Sequence, residues 1–175
     1  MTKINKPTVK DLAITGVLAA LVLAATMFTV IPLPFAVHTG GTMHLGNVAL
    51  FISAIIFGRK KGAFAGAVGM SLFNLLTPLP LQKWALFTFI IRGVMGYSMG
   101  WIAEKGHGKS LKFNIIAILC GGAIQIVGYY IAGLVFYDPI VLLSGIPGDV
   151  VQIILSGIVV IPVLGRLCRY RERFI

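Results

Sequence analysis

DLAITGVLAALVLAATMFTV, residues 11–30, decides the architecture. Apolar residues fill it without alternating, so it does not read as one of the roughly ten-residue strands of a membrane barrel, where apolar and polar side chains take turns. As a helix rising about 1.5 Å per residue it spans about 30 Å, one hydrocarbon thickness. A helix also satisfies every backbone N–H and C=O internally in lipid. Thr8-Val9-Lys10-Asp11 ahead of the run has the capping-box form, and Ile31-Pro32-Leu33-Pro34 stops it. With Lys3, Lys6 and Lys10 the opening has the flank of a signal peptide, but its apolar core exceeds the usual length of roughly 7 to 15 residues, which disfavours cleavage.

The rest of the chain repeats that pattern. Mean hydropathy is +0.96 and only 11% of residues are charged, so lipid must cover most of the 175 residues. The fold expected is an all-α membrane protein, a six-helix transmembrane bundle forming one domain over 1–175. Approximate spans are 11–30, 45–57, 62–76, 81–103, 113–137 and 147–164, separated by Pro-Leu-Pro, Gly-Arg-Lys-Lys-Gly and Asp-Pro breaks. Trp84 and Trp101 bracket about 26 Å of the fourth span, the spacing of interfacial tryptophans.

Charge placement agrees. With both termini cytoplasmic, six spans put Lys3, Lys6, Lys10, Arg59, Lys60, Lys61, Lys105, Lys109, Lys112, Arg166, Arg169, Arg171 and Arg173 on the inner side, leaving out only Lys83 and Arg92 of the 15 basic residues. That is the positive-inside bias. The net charge of +10 is therefore topological, suited to the lipid bilayer and its headgroups and giving no indication of nucleic acid.

Polar residues gather near the other end. HTGGTMHLGN, residues 38–47, lies between two apolar runs without a single Asp, Glu, Lys or Arg and reads as part of a pocket. On helices, His44 with Asn47, Ser71 with Asn74, and Asp149 with Gln152 and Ser156 share faces. Gln82, Lys83, Trp84, Tyr129 and Tyr130 fall at the same level. Polar groups are costly against lipid, so these faces should turn inward around a small-molecule site that opens outward. Interhelical hydrogen bonding is the expected role of Ser71, Ser156 and Gln82; for His44 and Asp149 ligand contact weighs as much, and Asp149 also reads as a helix cap. Arg92, near the bilayer centre on the face of Gly96 and Gly100, is a buried structural charge whose partner should be Asp149, helix-end carbonyls or a ligand group. Small residues at Gly16, Ala20 and Ala24, at Gly62 and Gly66, and at Gly96 and Gly100 form faces for close helix contact, within the bundle or, for the first face, with another membrane subunit.

Nothing indicates catalysis. There is no phosphate-binding GxxxxGK[ST], HExxH, GxSxG or same-helix DxxxD, and no Cys/His spacing for metal or cofactor; Cys120 reads as a buried apolar residue and Cys168 as a free cytosolic thiol. The chain holds no ATPase element, so pumping needs a partner or an ion gradient. A stand-alone secondary transporter or channel is the main alternative to a binding subunit, though broken-helix repeats are missing. A membrane enzyme acting on lipid or isoprenoid has no motif behind it.

Three stretches together resemble the S components of energy-coupling factor (ECF) vitamin transporters, in the group related to the riboflavin-type S components. They are GVLAALVLA in the first helix, GGTMHLGNVALFISAIIFGRKKGAFAG, and PGDVVQIILSGIVVIPVL. Asn47 departs from the pattern, since many relatives carry an acidic residue there. The resemblance implies a six-helix bundle that captures a vitamin or precursor from outside under the loop after the first helix. It implies partners as well, a coupling transmembrane subunit docking on Gly16, Ala20 and Ala24, and two ATPase subunits, with the bundle toppling to deliver its ligand. His44, Asn47, Asn74, Lys83, Trp84, Tyr129, Asp149 and Gln152 then become the substrate-binding walls, with a ring stacked on Trp84 or Tyr129. The ligand expected is hydroxymethylpyrimidine, then pyridoxine, with pantothenate and riboflavin behind.

Overall fold

Each apolar run becomes a helix, and the computed structural model describes residues 8–34, 41–78 and 80–174, with side chains described as far as 168. Lys3, Lys6, His38 and the first part of the expected lid lie outside the described residues, as do the side chains of Arg169, Arg171 and Arg173. The elements run α1 Val9–Met27, β1 Ile31–Pro32, β2 Thr42–Met43, α2 Gly46–Phe57, α3 Arg59–Leu76, a 3-10 turn Leu81–Trp84, α4 Ala85–Glu104, α5 Leu111–Gly133, α6 Pro139–Leu143 and α7 Ile146–Phe174. Among the described residues, four stretches are long and apolar enough to cross a bilayer: Val9–Met27, Leu81–Glu104, Leu111–Gly133 and Pro139–Cys168. The expected capping box is present, with Thr8 Oγ1 accepting from the Asp11 N–H.

α2 holds the centre. Leu50, Phe51 and Ala54 are wholly buried and Ile55 and Ile56 nearly so, as expected of a helix that is apolar all round. Its 12 residues rise only about 18 Å, too little to cross the hydrocarbon alone. Of the connector ahead of it, Gly41 to His44 are half-buried, while Ile31 and Pro32 are exposed. Part of that connector is a two-residue antiparallel pairing, Ile31 with Met43 and Pro32 with Thr42, a detail the apolar pattern did not foretell. Gly58 turns the chain from α2 into α3 at φ 88°, a conformation that glycine adopts at low cost.

α4 shows how the bundle sorts its faces. Leu86, Ile90 and Val94 point outward, while Thr88, Arg92, Met95 and Met99 are buried. Small residues let α3 and α4 touch: a Cβ on Gly96 would strike the backbone of Gly62, and one on Gly100 the backbone of Arg59. The Gly62 and Gly96 faces are thus internal packing surfaces. On α1 the inward residues are Leu18, Ala19, Val22 and Thr26, whereas Gly16 and Ala20 lie exposed.

The basic end is held by Lys61 to Asp11 at 2.7 Å, Arg59 to Glu104 at 3.4 Å, and the Cys168 thiol donating to the Gly108 carbonyl at 3.1 Å. Both cysteines are free thiols; Cys168 is buried, and Cys120, expected to be buried, is only half-buried. Two helix ends also moved. α5 stops at Gly133 instead of reaching Tyr137, and α7 continues ten residues past Leu164, because beyond the apolar stretch hydropathy no longer marks where a helix ends.

Candidate functional site

Trp84, Thr88, Arg92 and Gly96 recur every four residues, so they share the inner face of the fourth helical stretch. Arg92 is only 4% exposed. A guanidinium has donors alone, so its neighbours must offer oxygens. Its Nη1 donates to Asn47 Oδ1 on α2 at 2.8 Å and to Gln125 Oε1 on α5 at 2.7 Å. Asn47 Nδ2 also donates to Gln125 Oε1, at 2.9 Å. With that oxygen committed, Gln125 turns its Nε2 to Asp149 Oδ1 on α7, at 2.6 Å. Cation and carboxylate are thus joined through one amide instead of by the direct contact considered from sequence. The Asp149 carboxylate serves this relay and makes no capping bond among the described residues.

A second arm leaves the same guanidinium. Arg92 Nε donates to the Tyr129 hydroxyl at 3.2 Å, the hydroxyl donates to Thr88 Oγ1 at 3.0 Å, and Asn74 Nδ2 on α3 donates to that oxygen at 2.8 Å. The guanidinium also lies 5.2 Å from the Tyr129 ring centroid, a cation–π contact in a desolvated setting. Arg92 thus ties α4 to α2 and α5 directly, and the bonds running on from Tyr129 and Gln125 bring in α3 and α7. Among the described residues no hydrogen bond reaches Nη2 of Arg92, Oδ2 of Asp149 or Oδ1 of Asn74.

Above this floor lies a cavity of about 120 Å³, walled by His44, Asn74, Trp84, Tyr129, Asp149 and Gln152, with Arg92 reaching it from below. Leu33, Gly41 and Thr42 of the connector close one side. Gln152 Nε2 donates to the His44 carbonyl at 3.3 Å and sits 3.4 Å from its Nδ1, fixing the connector against α7. Burial, with the Arg92 charge adding to it, pushes the His44 imidazole down to about 3, so the ring stays neutral.

Six of the eight residues expected as walls line this one cavity, and two do not. Asn47 is wholly buried beneath it and holds Arg92. Lys83 places Nζ 5.0 Å from the Phe136 ring centroid and 4.2 Å from that of Tyr137, outside the lining. Trp84 is 6% exposed and is not a lipid-facing interfacial residue. Tyr137 stacks on it, while Tyr129 and Phe136 meet it edge-on, so its ring is largely engaged by the protein. Gln82 donates to the Leu75 carbonyl of the neighbouring α3, whereas Ser71 bonds the Ala67 carbonyl of its own helix and not, as expected, a neighbouring one.

Gln125 and Thr88 are the residues that sequence reasoning missed. Each stands four residues from a residue it did select, Gln125 before Tyr129 and Thr88 before Arg92, and a polar residue inside an apolar span is itself a signal.

Comparison with known proteins adds a family to this geometry. Residues 6–169 match the family described as ECF-type riboflavin transporter, S component. An uncharacterized protein in the gap 3′ region of Pyrococcus woesei is 30% identical over 152 residues, covering 86% of this chain and 95% of that one. The thiamine precursor transporter HmpT of Lactococcus lactis subsp. cremoris (strain MG1363) is 25% identical over 167 residues, covering 95% of this chain and 92% of that one. A UPF0397 protein of Streptococcus agalactiae serotype Ia is 30% identical over 124 residues, covering 66% of this chain and 64% of that one.

Proposed function

Because this chain belongs to the ECF-type riboflavin transporter S component family, multi-pass membrane proteins of transport, we propose that it captures hydroxymethylpyrimidine as the substrate-binding subunit of an ECF-type importer. The observation that carries the reading is the cavity on which polar side chains of α3, α4, α5 and α7 converge with His44 of the connector. The name of the Lactococcus relative, a thiamine precursor transporter, supports the same choice, and pyridoxine is the second candidate.

In this reading the chain crosses the membrane six times with both termini in the cytoplasm, and the cavity opens outward. Residues 38–47 act as lid and wall. Asp149 accepts from the ligand's amino group, and the edge of Tyr129 borders the ring. The partners are a coupling transmembrane subunit, docking on the exposed Gly16 and Ala20 with Ala24 beside them, and two ATPase subunits that drive release.

Native mass spectrometry of the detergent-extracted chain tests this. A retained mass equal to hydroxymethylpyrimidine, at one per chain, is expected, with submicromolar rebinding after its removal. Failure to bind any member of a vitamin and precursor panel overturns the assignment. Substrate flux in proteoliposomes containing this chain alone favours a stand-alone transporter instead.

A further inference from the structure

Arg92 and Asp149 are the two formally charged side chains among the described cavity lining, and they are of opposite sign. Gln125 stands between them with its carbonyl toward the guanidinium and its amide N–H toward the carboxylate. Each charge is thereby met by the right end of one dipole, and the pair sums to zero inside a desolvated site. Both keep one unused position, Nη2 as a donor and Oδ2 as an acceptor. A ligand ion entering here brings a charge that nothing in the lining balances, which is costly away from water. A neutral ligand with one acceptor and one donor completes both unused positions.

We propose that the Arg92–Gln125–Asp149 relay makes the site selective for uncharged ligands, with Asp149 the residue that excludes anions. Asn47 supports this by holding Arg92 and Gln125 in register from below. The proposal rests on the reading of the cavity as the ligand site, but its prediction concerns charge and not the identity of the vitamin. Anionic vitamins fall outside the range that the wild-type site accepts.

The experiment compares hydroxymethylpyrimidine with the near-isosteric pyrimidine that carries a carboxylate in place of the hydroxymethyl group. Purified full-length protein is titrated with each at one pH. Wild type is expected to prefer the neutral compound by about 100-fold or more, the scale of one unbalanced buried charge. Asp149→Asn keeps the shape and removes the charge, so that ratio should fall to about tenfold or less through a gain in carboxylate affinity. A wild-type ratio near one overturns the proposal, and so does an unchanged ratio in Asp149→Asn. If wild type takes neither compound, the substrate assignment fails, and the charge rule is read from thermal stability. Formate should then raise the Tm of Asp149→Asn above the effect of equal chloride while leaving wild type unmoved; equal responses of the two proteins overturn it.

Discussion

The two ends of this bundle are held by different physics. At the basic end the helices meet through backbone: Gly62, Gly96 and Gly100 leave no room for a side chain, and the ion pairs Arg59–Glu104 and Lys61–Asp11 sit at the rim. At the cavity end the helices are spread, and side-chain hydrogen bonds radiating from Arg92 span the gap. Close packing gives rigidity along the seam between α3 and α4. A polar network gives fixed spacing at the cavity, and it leaves donors and acceptors facing the space it holds open. The short α2 makes this possible, because it fills the basic half and ends beneath the cavity.

Substitutions in the two halves should therefore separate folding from binding. The largest effect is expected from Arg92→Met, which strands Asn47 Oδ1 without its donor, leaves Gln125 Oε1 only the Asn47 amide, and leaves the buried Asp149 carboxylate with no compensating charge nearby. It should cost about 3–5 kcal/mol in unfolding measurements and abolish ligand binding. Gly96→Leu should destabilise by about 1–3 kcal/mol through collision with α3, and the protein that does fold should bind ligand with near wild-type affinity. Loss of binding as complete as in Arg92→Met would erase the distinction between the halves.

His44 sharpens the comparison through pH. Its folded-state pKa of about 3 lies below the ordinary histidine value of about 6.5, so the stabilisation linked to its neutral ring is complete above about pH 6.5 and declines as the pH falls toward 3. Its ring resonances in NMR should stay fixed from about pH 8 to pH 5, while an exposed histidine titrates over that range. The smallest effect belongs to the rim: Glu104→Gln, at a half-exposed ion pair, should cost less than about 1 kcal/mol and leave affinity unchanged.

Much of this arrangement was legible in the residues. Continuous apolar runs placed α1 through α5 and α7 to within a few residues, helical spacing placed Asn74, Asp149 and Gln152 on inward faces, and depth along the fifth span pointed to Tyr129. What spacing cannot express is which helix stands across from which. Gln125 lies alone in its apolar stretch, and its importance appears only when α4 and α7 stand on either side of it. For the same reason Asn47, rightly turned inward, was placed one layer too high, and Lys83, at the right level, turned out to lie against Phe136 and Tyr137. Trp84 satisfied the spacing of an interfacial belt but is enclosed by rings from α5 and the segment after it.

The most direct test is calorimetric titration of wild type, Arg92→Met and Glu104→Gln with hydroxymethylpyrimidine under identical detergent conditions. Wild type and Glu104→Gln should each bind one ligand per chain with submicromolar affinity, and Arg92→Met should release no heat of binding. Equal binding by all three proteins would contradict the role given to the Arg92 network, and heat from none of them would contradict the ligand assigned to the cavity above it.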